Sequence, residues 1–256
     1  MQGSVKSFDG ININYDIRRE KNKNNFLVFL HGTGDSLKMW KKIRLFFHKA
    51  GIPTLAIDLR GHGKSGKPKL VENYNLKHFA KDVKAVLKKE HIFHPIIVGY
   101  SLGGMVTLTF HRLYPKLSKS YVIISSAYKP PKILTDVIKK FSGLIHFLNE
   151  KLGGAIPRKG AKGGFFKSLL FTLEGIASFN EKGIIKGITK PVLILSGGKD
   201  IILNVSNSKK ISKMVKNSKL KIFPKENHII IPLIPDKISN EIYSFIKETN
   251  IPIRKK

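Results

Sequence analysis

A chain of 256 residues with 47 Lys and Arg against 17 Asp and Glu carries a formal net charge of +30. Its 41% hydrophobic content excludes a disordered basic tail, and the absence of Cys excludes disulfides, thiolate nucleophiles and Cys-ligated metal centres. Lys supplies 40 of the cations and Arg only seven, so no sequence-specific nucleic-acid partner is expected.

The first ten residues lack the apolar core of a secretory leader, and no uninterrupted apolar run approaches the ~18 residues of a membrane span. A cytoplasmic location is the expectation. Residues 11–17 alternate strictly and predict a half-buried strand, with Asp9-Gly10 before them as a hairpin signal. Residues 26–30 are continuously apolar, as in a strand covered on both faces. A helix is predicted over 36–50, stopped by Gly51. The rhythm repeats with a strand at 54–59, a helix at 76–90 capped by Asn75, a strand at 95–99, a helix at 102–113 and a strand at 121–125. It resumes with strands at 191–195 and 220–223 and helices at 205–215 and 237–247, Asp236 standing at the start of the last. Strands alternating with helices predict an α/β fold with a mostly parallel sheet.

The stretch 129–188 breaks the rhythm. It shows an amphipathic helical stripe over 133–152, a basic Gly-rich loop over 157–164 and an apolar run over 165–179. The expected organisation is a core made of 1–128 and 189–256, with a helical cap inserted at 129–188.

The chemistry concentrates at chain turns. Gly99-Tyr100-Ser101-Leu102-Gly103 is a G-x-S-x-G string between a predicted strand and a predicted helix, the context in which small glycines permit a tight turn that exposes a serine. His31-Gly32-Thr33-Gly34, Asp58-Leu59-Arg60-Gly61-His62-Gly63-Lys64-Ser65, Gly197-Gly198-Lys199-Asp200 and Asn227-His228 each follow a predicted strand. Gly61 to Gly66 is formally a G-x-G-x-x-G string, but Lys67-Pro68-Lys69 continues as a loop where a dinucleotide fingerprint must open a helix. No zinc or calcium motif appears, so neither metal nor cofactor is expected.

In order and spacing these motifs resemble the α/β-hydrolase fold family, in its serine esterase and lipase branch, over nearly the whole chain. The resemblance implies Ser101 as nucleophile, His228 as the base that takes its proton, and Asp200 as the acid that orients the imidazole. It also implies an oxyanion hole from the backbone N–H groups of Thr33 and Leu102. Trp40 and Ile201 are candidate pocket residues, with core packing as the competing role. The other histidines fall in helices or loops, and His31 opens the oxyanion loop in a structural capacity.

The resemblance implies a carboxylesterase that cleaves small-molecule esters through an acyl-enzyme. A serine at position 101 separates the chain from the dehalogenase and epoxide-hydrolase branches, which place Asp there. One alternative is a lipase or lysophospholipase with weak association at anionic membrane surfaces. Another is a non-turnover protein that senses a ligand on the same fold.

Overall fold

The structure, a computed structural model, describes residues 1–20, 26–132, 135–136, 140, 161–177 and 179–249. Its centre is an eight-stranded sheet built from β1 (Gln2–Lys6), β2 (Asn12–Arg18), β3 (Leu27–Leu30), β4 (Thr54–Ile57), β5 (Ile96–Tyr100), β6 (Ser120–Ile124), β7 (Val192–Gly197) and β8 (Ser218–Phe223). The order is β1-β2-β4-β3-β5-β6-β7-β8. β1 and β2 pair antiparallel, as do β2 and β4, and every later pairing is parallel.

Alternation along the strands assigns side chains to two cores. Val28 and Leu30 face the cluster that includes Val83, Leu102 and Val106, whereas Leu27 and Phe29 face the one that includes Phe47, Ile242 and Phe245. The first cluster is closed by α2 (Leu76–Lys89) and α3 (Leu102–Leu113), which pack on each other. On the opposite face α1 (Lys41–Lys49) packs against α8 (Pro235–Glu248). Between β6 and β7 lie α4 (Ala161–Ala177) and α5 (Lys182–Ile185), while α6 (Val205–Met214) and α7 (Ile230–Leu233) precede β8 and α8 respectively.

The predicted strands and helices match these elements to within about two residues, with three instructive differences. β1 was not anticipated. The helix expected over 36–50 opens as a 3₁₀ turn, Leu37–Trp40, before α1 begins, and Gly51 ends it at φ +67°. Of the basic loop expected over 157–164, the described residues Ala161 to Gly164 instead form the first turn of α4. Most of the helix expected over 133–152 lies outside the described residues, as does 157–160.

The parallel strands β3, β5, β7 and β8 all end on one edge of the sheet, so the segments His31–Gly34, Ser101, Asp200 and His228 gather there. Helix α4 closes over the same edge. A methyl group built on Gly34 would touch Leu169 at 3.8 Å, and Tyr74 Oη shares a hydrogen bond of 2.8 Å with Ser168 Oγ.

Candidate active site

β5 runs into α3 through Ser101 alone, whose φ of +51° and ψ of −113° are a conformation L-residues rarely take. Such backbone costs ~1–3 kcal/mol and persists only where the surroundings over-determine it. Here the Ser101 N–H donates to Ile124 O at 2.9 Å, and Ser126 Oγ donates to Ser101 O at 2.7 Å. The flanking glycines are required by close approach. A Cβ on Gly99 would fall 2.3 Å from Gly103 O, and one on Gly103 would fall 2.2 Å from Leu30 O.

The turn after β7 and the loop after β8 are joined by the Lys199 N–H donating to Glu226 O at 2.8 Å. Asp200 is 2% exposed; its Oδ1 accepts from the Ile202 and Leu203 N–H groups, both at 2.9 Å, which fixes the carboxylate plane. Asp200 Oδ2 stands 2.7 Å from His228 Nδ1, and His228 Nε2 stands 3.2 Å from Ser101 Oγ. A carboxylate accepts only, so Nδ1 carries the proton and Nε2 is left as the acceptor for the serine hydroxyl. Residues 101, 200 and 228, far apart in sequence, thus form one hydrogen-bonded line.

His31 stands at the end of β3, fully buried. Its Nδ1 donates to Gly32 O at 2.7 Å, and its Nε2 accepts the Leu59 N–H at 3.0 Å. The Gly103 N–H donates to His31 O at 3.1 Å and draws the His31–Gly34 turn onto the start of α3. Among the described residues, the backbone N–H groups of Thr33 and Leu102 donate to no internal acceptor. Two unsatisfied donors beside a serine hydroxyl are what a developing oxyanion requires.

The loop after β4 supports this arrangement without joining it. Asp58 accepts from the Leu37 N–H at 2.7 Å, the Lys64 N–H at 2.9 Å and Asn14 Nδ2 at 2.8 Å. His62, 1% exposed, packs against His31 with ring centroids 5.2 Å apart and planes tilted by 58°. Burial lowers both imidazoles to about 4, His62 with a further push from His31. They are neutral spacers.

The two candidate pocket residues sit in opposite surroundings. Trp40 is fully buried, its ring 4.9 Å from Phe29, because the 3₁₀ turn folds the indole down onto β3; it is a packing residue of the core. Ile201 is 92% exposed on the turn after Asp200, beside Ile202, and Ile229, also exposed, follows His228. Sequence reasoning missed Leu169, which lies where a side chain on Gly34 would meet it, and Tyr100, whose hydroxyl reaches His228 O. A cavity of about 420 Å³ lined by Lys129, Lys132, Thr135, Asp136 and Phe179 contains none of Ser101, Asp200 or His228. Among the described residues no group of three or more His, Asp or Glu could hold a metal ion, and no helix is long and apolar enough to cross a membrane.

A family model described as the alpha/beta hydrolase fold matches residues 25–146. The chain is 24% identical over 241 residues to Protein ABHD8 of Bos taurus, covering 86% of this chain and 55% of that protein, so it spans little more than half of that relative's length. It is 27% identical over 277 residues to the bifunctional esterase/perhydrolase DCH of Acinetobacter calcoaceticus, covering 96% of this chain and 99% of that one. The esterase EaEST of Exiguobacterium antarcticum superimposes with a TM-score of 0.79 at 16% identity, covering 96% of this chain and 100% of that chain. Sheet order, strand-end loops and these likenesses agree, and the chain has the α/β-hydrolase fold.

Proposed function

We propose that the chain is a serine hydrolase that cleaves carboxylic esters through an acyl-enzyme. The observation that carries this reading is the line from Asp200 through His228 to Ser101, 2.7 and 3.2 Å, on a strained turn beside two unsatisfied N–H groups. The name of the Acinetobacter relative, an esterase and perhydrolase, supports the same class of substrate.

The steps follow from the geometry. Ser101 Oγ attacks the ester carbonyl carbon as its proton passes to His228 Nε2, and the carbonyl oxygen becomes an oxyanion held by the Thr33 and Leu102 N–H groups. Asp200 stabilises the imidazolium. The C–O bond to the alcohol then breaks, His228 returns the proton to the departing oxygen, and the acyl group stays on Ser101. Water attacks the acyl-enzyme with His228 as base, the acyl C–O bond to Ser101 breaks as His228 returns the proton to Oγ, and the carboxylic acid leaves.

In this reading residues 129–188 are the cap over the site, and Ile201, Ile202 and Ile229 present an apolar rim to the acyl group. Ser101→Ala is expected to abolish hydrolysis of a short p-nitrophenyl ester, and retained turnover overturns the assignment. The exposed rim, on a chain of net charge +30, also favours a lipid-facing variant of the same activity. Sedimentation with anionic vesicles at low and high salt tests it, and an enzyme that stays in the supernatant at both removes it.

A further inference from the structure

Tyr100 takes no part in the steps above, yet it touches three of the segments that build the site. It is the covalent neighbour of Ser101. Its hydroxyl donates to the backbone carbonyl of His228 at 3.1 Å, across 128 positions of sequence. Its ring lies under the imidazole, with centroids 5.4 Å apart and planes tilted by 36°. The oxyanion turn rests on the same ring, since a Cβ on Gly32 would fall 2.9 Å from Tyr100 Cε1 and 3.3 Å from Ser101 Cβ. Tyr100 is 7% exposed. Burial, reinforced by the charges of Asp200 and Asp35, pushes its phenol well above the ordinary range, so the hydroxyl is a donor at any working pH.

The loop that carries His228 is otherwise held mostly from its own side. Glu226 N–H donates to Phe223 O at 3.1 Å, Ile229 N–H to Asn227 Oδ1 at 2.8 Å, and Ile230 N–H to His228 O at 2.9 Å. Lys199 N–H and the Asp200 carboxylate tie it to β7. The Tyr100 hydroxyl ties it directly to the turn that presents the nucleophile. At 3.2 Å the Ser101–His228 bond is already at the long end for a hydrogen bond, so a shift of a few tenths of an ångström in the His228 backbone would weaken it sharply.

We propose that Tyr100 is a positioning residue: its hydroxyl sets the His228 backbone against the Ser101 turn, and so sets the reach of Nε2 to the serine. The proposal rests on Ser101 and His228 acting as nucleophile and base. The test is the rate at which a fluorophosphonate labels Ser101, measured per titrated site, together with kcat and KM on p-nitrophenyl acetate. Tyr100→Phe keeps the ring and removes only the donor. It is expected to slow labelling and kcat by about three- to ten-fold, the equivalent of one neutral hydrogen bond, with KM, titratable fraction and melting temperature unchanged. Should Tyr100→Phe fail to fold, 4-fluorophenylalanine at position 100, which fills the hydroxyl's space without a donor, carries the same comparison and is expected to slow labelling and kcat alike.

The effect must also pass through His228. Against a His228→Ala background, Tyr100→Phe is expected to change the residual labelling rate by less than about two-fold. Equal rates for Tyr100→Phe and the unaltered chain overturn the proposal. So does the same fold-loss with and without His228, which would place the hydroxyl's effect on the serine turn itself. An unaltered chain that no fluorophosphonate labels at Ser101 defeats the serine-hydrolase reading instead, a distinct outcome.

Discussion

Replacing Asp82 by Asn perturbs the most heavily buried ion pair among the described residues. Arg60 and Asp82 side chains are both 0% exposed, joined by Arg60 Nη2–Asp82 Oδ1 at 2.6 Å and Nε–Oδ2 at 2.7 Å. Ser7 Oγ donates to Asp82 Oδ1 at 2.5 Å, so the turn after β1, the loop after β4 and α2 all meet at this carboxylate. An amide in its place keeps one acceptor and turns an NH₂ toward a guanidinium that can only donate. Removing one partner of a buried pair costs about 3–5 kcal/mol. Asp9 at 2.9 Å and Asn73 O at 2.9 Å still hold Arg60 Nη1, which places the loss near the lower bound, roughly 3 kcal/mol. At about 2–4 °C per kcal/mol for a domain of this size, the melting temperature is expected to fall by roughly 6–12 °C. Thermal unfolding followed by circular dichroism measures it, with urea unfolding as the reversible check. The double variant Arg60→Met with Asp82→Leu is expected to recover part of the loss, since no guanidinium is then left facing an amide. A drop of less than about 2 °C for Asp82→Asn would refute the reasoning.

Acid should weaken the fold through His31 and His62. The unfolded imidazoles bind protons near pH 6.5, whereas burial delays binding in the folded chain to about 4. Between those values the unfolded chain holds more protons, so stability falls as pH falls, by up to roughly 1.4 kcal/mol per pH unit per residue. Urea unfolding at several pH values should show this slope, reduced in His62→Asn; a flat profile contradicts it. Gly63→Ala places a Cβ within 2.2–2.4 Å of the Asp58 carboxylate at a φ of +50°, and is expected to cost at least ~2 kcal/mol. Gly10→Ala, at φ +80° with nothing within 4 Å, should cost only about 1 kcal/mol, and equal losses at the two glycines would contradict the packing argument. Asp200→Asn should cut ester turnover by about 10⁴-fold by leaving His228 in the wrong tautomer; a loss below about ten-fold removes Asp200 from the relay.

What could be read from the sequence was local. The continuous apolar runs of β3 and β5 announce strands covered on both faces, and Asn75 announces the start of α2 by accepting the His78 N–H at 3.1 Å. The serine turn is legible because its demands fall on five adjacent residues. β1 is illegible for the converse reason: Gln2–Lys6 offers one large apolar side chain, Val5, and exists because it pairs with β2. Trp40 reads equally well as pocket or core until the 3₁₀ turn shows which way it folds. The Arg60–Asp82 pair and the hydrogen bond from Tyr100 to His228 join positions 22 and 128 residues apart, and no periodicity or motif encodes them. Among the described residues no Lys is buried. In the Lys-rich stretch 209–225, which has no acid, Lys219 and Lys221 pair with Glu248 and Glu241, while the scarce acids Asp82 and Asp200 are buried where they hold a guanidinium and an imidazole.

The most direct measurement is the mass of the protein quenched in acid during turnover of p-nitrophenyl acetate. The chemistry proposed for Ser101, His228 and Asp200 predicts a population heavier by one acetyl group. Peptide mapping should place that group on Ser101, and Ser101→Ala should remove it. No adduct during active turnover, or an acetyl group carried by another residue and retained in Ser101→Ala, would contradict it.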